Sequence, residues 1–314
     1  MTTRWLALLA LTLGLSSCVS SRASAPRSDD PRLAAASRHD EAGWIVLHLE
    51  GPPATVGFQH GWLAADEIAD ALAMFRGYVP TAGKRDWNFF RKTAKELFWP
   101  KLDEEEKSEI DGIVEGVRAR GKAIDREDVV AINGWMDIAW YQIPALDDRE
   151  NAAPGNCSAF VATGSWTKDG GIVMGHNAWV DYCIGERWNL VLDIVPAKGH
   201  RIFMDSFPGF IHSGDDFALN DAGLMVTETT ITQFKGFEPS GIAEFARAAR
   251  GAVRRLDRRV GAHHDRGEQR GLRQLLARRR PEDGGDRAAG ARVEEPAVRE
   301  DEGRLLRRIE LPHG

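Results

Sequence analysis

Cysteine is scarce in this chain. Its 314 residues hold three, Cys18, Cys157 and Cys183. An odd, sparse set excludes a disulfide framework, and the absence of any Cys-x-x-Cys pair argues against a structural zinc site. An excess of positive charge is missing too. The net charge is −6, so the chain as a whole has no footprint for nucleic acid. The apolar run Trp5–Leu15 is too short to cross a bilayer comfortably. A further set of absences is local. From Arg247 to Gly314 there is no Ser, Thr, Asn, Lys, Met, Cys or aromatic residue, yet there are eighteen Arg, and all ten Trp lie before residue 189. That stretch reads as a disordered basic-acidic tail, as a nucleic-acid arm, or as coding sequence translated out of frame. The arm is disfavoured because acids are interspersed and no aromatic is available for stacking.

What is present supports a sizeable folded unit. Hydrophobic residues make up 43% of the chain, enough to bury a core in one large domain or two small ones. The first eighteen residues look like an export signal, with Arg4 as the charged start and Trp5–Leu15 as the apolar run. The run ends in "LSSC", which resembles the bacterial lipobox. Cys18 would then be lipidated and become the mature N-terminus, anchoring the protein to a membrane. The alternative is an ordinary cleaved signal with an incidental Cys18. Either way an exported protein is expected: a bacterial membrane lipoprotein, or a periplasmic or extracellular one. Residues 1–18 are thus the signal, and 19–43 read as a flexible tether.

Residues 44–156 read as a mainly helical part behind one short strand, "WIVLHL". Helical spacing runs from Phe58 to Met74 and again from Trp87 to Phe98, where Pro100 ends it. Asp103 is placed to cap "EEEKSEIDGIVEGVRARG", with acids in the first turn and Gly121 as the stop. Asp125 and Asp128 form a near capping box for another helix. After Pro154 the texture changes to short β-type runs with Gly, Asn and Asp at the turns. Residues 157–247 therefore read as a β-meander, and 248–314 as the aberrant tail. Helices followed by a layered sheet make the fold class α+β.

Cys157 stands at the leading edge of the first of these strands, after Gly155-Asn156. An N-terminal-nucleophile hydrolase needs this arrangement. The peptide bond before the nucleophile breaks, and the new α-amine serves the thiol as general base. The unperturbed pKa of such an amine, about 7.7–8.0, suits that task near neutral pH. Gly155-Asn156 supplies a turn-capable approach and Ser158-Ala159-Phe160-Val161 continues as a strand. On chemistry alone the competing reading, a small buried thiol, stays open.

The string "NCSAFVATGSWTKDGGIVMGHNAW" closely resembles the nucleophile hairpin of the phospholipase B-like family. That family has the Ntn-hydrolase αββα sandwich and is related to the penicillin acyltransferase-like autoproteolytic group. The resemblance continues through "MDSFPGFIHSGDDFALNDAGLMVTETT" and covers roughly residues 44–247. It implies that Cys157 is the nucleophile, released by cleavage after Asn156. It implies that His176 and Asn177 take part in catalysis, His176 near neutral pH and Asn177 as an oxyanion or substrate donor, while a satisfied structural His176 and a turn-forming Asn177 stay open as competing readings. Trp179 and Thr229 (or its neighbour Thr230) would line the substrate pocket, although packing and β propensity explain them as well. Asp215 and Asp216 read equally as paired carboxylates or as turn formers. The implied activity is hydrolysis of a small lipid ester or amide, with no metal, no cofactor and no nucleic acid partner. Two alternatives remain: an acyltransferase using the same acyl-enzyme, and a non-catalytic surface lipoprotein that binds lipid or peptide.

The resemblance also implies further strands and an Asn-Gly-rich loop that this chain does not spell. A one-base shift recovers them on paper. With suitable codons "GEQRGLRQLLAR" (Gly267–Arg278) becomes GSNGGYANSWL, and "GRLLRRIELP" (Gly303–Pro312) becomes DGYFVGSNF. On that reading the sandwich is incomplete at its C-terminal side, with an uncovered sheet edge and a missing oxyanion donor.

Overall fold

The computed structural model describes residues 28–82, 84–148, 157–214, 217–230, 237–247, 272–278 and 307–308. Cys18, Asn156, Asp215 and Asp216 lie outside the described residues. The structure is α+β, with helices against one face of a seven-stranded mixed sheet and a three-stranded sheet beside its far end.

The first strands come earlier than the sequence suggests. Residues 28–43, read as tether, carry a 3-10 turn at Pro31–Leu33 and strand β1 (Ser37–Glu41). Strand β1 pairs antiparallel with β2 (Trp44–Gly51) through a two-residue turn in which Ala42 and Gly43 both have positive φ, 51° and 88°. Such turns match the twist of paired strands. No β1 residue is buried, so no apolar pattern announces it. Ion pairs hold it instead: Arg38 bonds Asp40 and Glu67 and donates to the Leu63 carbonyl.

Strand β2 does bury its alternate residues. Ile45, Leu47 and Leu49 enter the core, where a fully buried Leu contributes about 1.5–3 kcal/mol. Gly51 and Pro52 end the strand and α1 (Pro53–Leu63) begins at once. Ala64 breaks the helical run before α2 (Ala65–Ala82). Then come α3 (Trp87–Thr93), which Asp86 caps, and a π turn and 3-10 turn through Lys101. Helix α4 (Glu104–Ala119) starts with a full capping box of Asp103 and Glu106, and α5 (Arg126–Asn133) with one of Asp125 and Asp128. A second π turn leads into the short α6 (Ile143–Leu146).

Helices α1 and α4 cross at backbone contact. A Cβ added at Gly57 or Gly61 would sit 2.0 Å from the Glu109 carbonyl oxygen or 2.2 Å from that of Ile113. One added at Gly112 or Gly116 would sit 2.3 Å from the oxygen of Ala54 or Phe58. Two glycines four residues apart on each helix therefore fix the crossing.

Strands β3 (Ser158–Gly164) and β4 (Gly170–Asn177) form an antiparallel hairpin; α7 (Tyr182–Gly185) follows. Strands β5 (Leu190–Pro196), β6 (Ile202–Ser206), β7 (Phe217–Asn220) and β8 (Leu224–Thr230) form the expected meander. The unexpected join is β2, which pairs parallel with β5 over seven residues, Ile45 opposite Leu190 through Gly51 opposite Pro196. The helical part and the meander thus share one sheet and one core, in which Leu190, Leu192, Ile194, Ile202, Met204 and Val226 pack with the helices. Within the tail, β9 (Leu272–Arg278) pairs with β8 along its whole length and β10 (Arg307–Arg308) with β3, so the β8 edge expected to be uncovered is closed by backbone hydrogen bonding that needs no particular side chains.

Candidate active site

The β3–β4 hairpin has two unlike faces. Phe160 and Val173 lie on one and are half exposed. Residues one step out of phase, Ala159 opposite His176 and Val161 opposite Met174, lie on the other. Both hairpin strands approach β8, and the His176 Nε2 atom is buried. The His176 face is therefore the one turned toward the large sheet.

Cys157 stands one residue ahead of β3 and is partly exposed. Strand alternation puts it in phase with Ala159 and Val161, hence on the face that carries His176. The structure so brings Cys157 and His176 to one side of the hairpin. It does not bring Asn177 there. Asn177 is exposed and pairs with Ser158, and its amide lies 3.5 Å from the Ser158 hydroxyl on the opposite face. The sequence resemblance groups these residues because they are adjacent in the motif, while a period of two separates neighbours along a strand. Trp179 is 60% exposed beyond the end of β4. Thr229 lies on β8 at the register position opposite Arg273.

A residue the motif reading passed over is Thr227. It is 1% exposed, and its hydroxyl has no hydrogen-bond partner among the described residues. Leu224 and Val226 of β8 join the helical core, so Thr227 belongs to the other face, where the hairpin lies. A buried hydroxyl left without a partner costs about 1–3 kcal/mol. Only its place after "LMV" in an alternating strand could have signalled it.

The turn between β6 and β7 is held from the helical side. The Gly209 N–H donates to His60 Nε2 at 3.3 Å, and the Asn133 amide donates to the Gly209 carbonyl at 2.9 Å. Asn133 Oδ1 accepts from the Ile211 N–H at 2.9 Å. Gly209 has a φ of 85°, in the region glycine tolerates. Further along, the Ser206 hydroxyl donates to the His212 carbonyl, and that of Ser213 to Asp205. The His212 ring stacks on Phe210 at 4.5 Å. His60, Asn133, Ser206 and Ser213 are each 2% exposed or less, so the "SFPGFIHSG" motif is a buried, internally bonded corner. The Ser213 hydroxyl also accepts from the Phe217 N–H at 2.9 Å, which ties the corner to the first residue of β7.

On the sheet face away from the helices, Asp193 takes two bonds of 2.6 Å from Arg201 and one of 2.8 Å from His48. Burial works to raise the Asp193 carboxyl, but Arg201 and His48 outweigh it and hold it below the usual carboxylate range. At the α2 end, the Tyr78 hydroxyl donates to Asp181 at 2.5 Å. Burial first, then Asp181, push that phenol well above its usual value. The phenol therefore keeps its proton and stays a hydrogen-bond donor to Asp181.

Comparison with known proteins bears on the same segment. Residues 84–248 match the phospholipase B family, which spans Cys157, the hairpin and the buried corner. The chain is 29% identical over 204 residues to an uncharacterized protein of Archaeoglobus fulgidus, covering 59% of this chain and 32% of the relative. It is 25% identical over 144 residues to human phospholipase B-like 1, covering 40% and 26%. It is 32% identical over 102 residues to rat putative phospholipase B-like 2, covering 28% and 17%. The chain spans about a third or less of the length of these curated relatives.

Proposed function

Because the chain belongs to the phospholipase B family, we propose that it is an exported hydrolase of ester or amide bonds acting through Cys157 as an N-terminal nucleophile. The observation that carries this reading is the position of Cys157: partly exposed, directly ahead of β3, in phase with His176, and inside the matched segment. In the self-cleavage step the Cys157 thiol attacks the Asn156 carbonyl and the peptide C–N bond breaks, leaving a thioester and a free α-amine. Water then splits the thioester, giving an Asn156 carboxylate and the Cys157 thiol. In turnover the α-amine takes the thiol proton and the thiolate attacks the substrate carbonyl. The leaving alcohol or amine departs with that proton. Water, deprotonated by the same amine, releases the acid. His176 would orient the substrate oxygen or donate to it, and Thr227 and Thr229 lie on the neighbouring strand. No metal or cofactor enters these steps.

The αββα sandwich belongs to the same proposal. A helical layer, a large sheet and the hairpin sheet support three of its layers. The family name suggests a phospholipid ester, and the chemistry suits amides equally. The test is turnover of a chromogenic ester and a chromogenic anilide with an amine acceptor present. Release of free acid supports a hydrolase, transfer to the amine supports an acyltransferase, and no thiol-dependent turnover leaves a binding lipoprotein.

We also propose lipid anchoring at Cys18. With Cys18→Ser, incorporation of labelled palmitate in the native host should cease and the protein should leave the membrane fraction. Unchanged labelling would place the anchor elsewhere.

One observation favours a second reading of the C-terminal part. The family match ends at residue 248, where the Arg-rich composition begins. We propose that the downstream segment is translated from a shifted frame. Sequencing the locus around the Arg247 codon in independent isolates should find an inserted or deleted base. A clean frame in all of them would refute the shift.

A further inference from the structure

The helical part carries a groove that shares no residue with the hairpin. It is an open groove of about 630 Å³ lined by Arg76 of α2, Trp87 and Arg91 of α3, Arg118 of α4, and Ile124, Asp125 and Asp128 at the start of α5. That volume lies within the usual range for small-ligand sites. Three guanidinium groups from three helices meet there, against two carboxylates.

The carboxylates are already committed. Asp125 takes two bonds from Arg91, at 2.8 and 2.6 Å, and a third from the Asp128 N–H. Asp128 is contacted by Arg91 at 2.5 Å and accepts from the Trp87 indole at 2.8 Å and from the Asp125 N–H at 3.2 Å. Burial works to raise the Asp125 carboxyl, while Arg91 and the cap bonds outweigh it and lower it, so it stays ionised and satisfied. Arg91, the Trp87 indole and the capping N–H groups thus satisfy both carboxylates by hydrogen bonding. The other two arginines are not used up. Arg76 is exposed and meets Asp128 only at 3.6 Å. Arg118 is exposed, lines the groove and spends its Nε–H on the Ile124 carbonyl at 2.8 Å, a bond that does not use its terminal N–H groups.

We propose that this groove is a binding site for a monoanionic oxyanion, a phosphodiester or a carboxylate, clamped between Arg76 and Arg118. Three positive and two negative side chains leave one charge to neutralise. Guanidinium groups present paired N–H donors that fit two oxygens of one anion. Trp87 and Ile124 give the ligand's carbon body an apolar wall. This assignment is independent of the chemistry at Cys157, so each can fail without the other.

Isothermal titration of the purified full chain with dimethyl phosphate and, separately, butyrate tests it, with choline chloride as the cation control. One saturable site per chain is expected for at least one oxyanion and none for choline; whichever binds more tightly identifies the source chemistry. Arg76→Gln and Arg118→Gln should each weaken binding about tenfold, as expected for losing a charge-assisted hydrogen bond. Arg201→Gln, remote from the groove, should leave it unchanged. Thermal unfolding of each variant separates a lost clamp from a lost fold, and Arg76, with its single long ion pair, is the position least able to disturb folding. Absence of saturable binding by either oxyanion overturns the proposal, as does binding that survives both substitutions.

Discussion

Replacing Cys157 by alanine is expected to leave the chain uncut between Asn156 and Cys157 and to lower turnover to the uncatalysed background. The expected loss is large because one residue does two jobs. Its thiol breaks the precursor bond, and its α-amine, absent until that bond is broken, then serves as base. Removing the nucleophile of a comparable constellation costs about 10⁶ in kcat. Cys157→Ser separates the two tasks, since a hydroxyl can still cleave slowly. A serine variant that is cut yet turns over poorly would place the defect in the acyl-transfer step. Once cut, the wild-type pieces should elute together under native conditions and separate in denaturant. Seven residue pairs join β2 to β5 across the cut, and the helices and strands share one core. Pieces that part without denaturant would mean that the helical part is a released propeptide.

The second large effect is on stability. Gly61→Ala or Gly112→Ala should destabilise the fold by about 3 kcal/mol or more, a fall in Tm of roughly 6–12 °C for a domain of this size. In each case the added Cβ meets a backbone carbonyl oxygen at 2.2–2.3 Å, and backbone cannot swing aside as a side-chain tip can. Gly77→Ala in α2 is the control, because nothing lies within 4 Å of its Cβ position. There alanine should stabilise by about 0.5–1 kcal/mol through helix propensity. Thermal unfolding of the three variants reads out the contrast in sign. If Gly61→Ala and Gly77→Ala behave alike, the tight α1–α4 crossing is wrong.

Local chemistry was the legible part of this fold. The helix caps at Asp103 and Asp125 and the β-meander from Leu190 could be read because each signal lies within a few residues of what it controls, whereas Pro100, read as the end of the helix, sits inside a 3-10 turn that carries on to Lys101. Strand β1 could not, because it is held by ion pairs from Arg38 to residues as far off as Glu67 and buries no side chain. The parallel pairing of β2 with β5 spans about 145 residues and leaves no local trace. Sequence motif and strand geometry also divide the candidate site differently. "HNAW" reads as one cluster, but alternation sends His176 inward and Asn177 outward. The pins on the Phe207–Phe210 corner were hidden for another reason: His60 and Asn133 sit inside helices, where a polar residue looks like part of a solvated face. The buried hydroxyl of Thr227 was masked by its more conspicuous neighbours Thr229 and Thr230.

The most direct test of the central claim is the N-terminal sequence and intact mass of the full-length protein purified from its native host. The account predicts two associated pieces, the second beginning with Cys157 and carrying a free α-amine that reacts together with its thiol to form a thiazolidine with an aldehyde. A single uncut chain that nonetheless turns over an ester or amide would contradict it, because the base would then have to come from another residue.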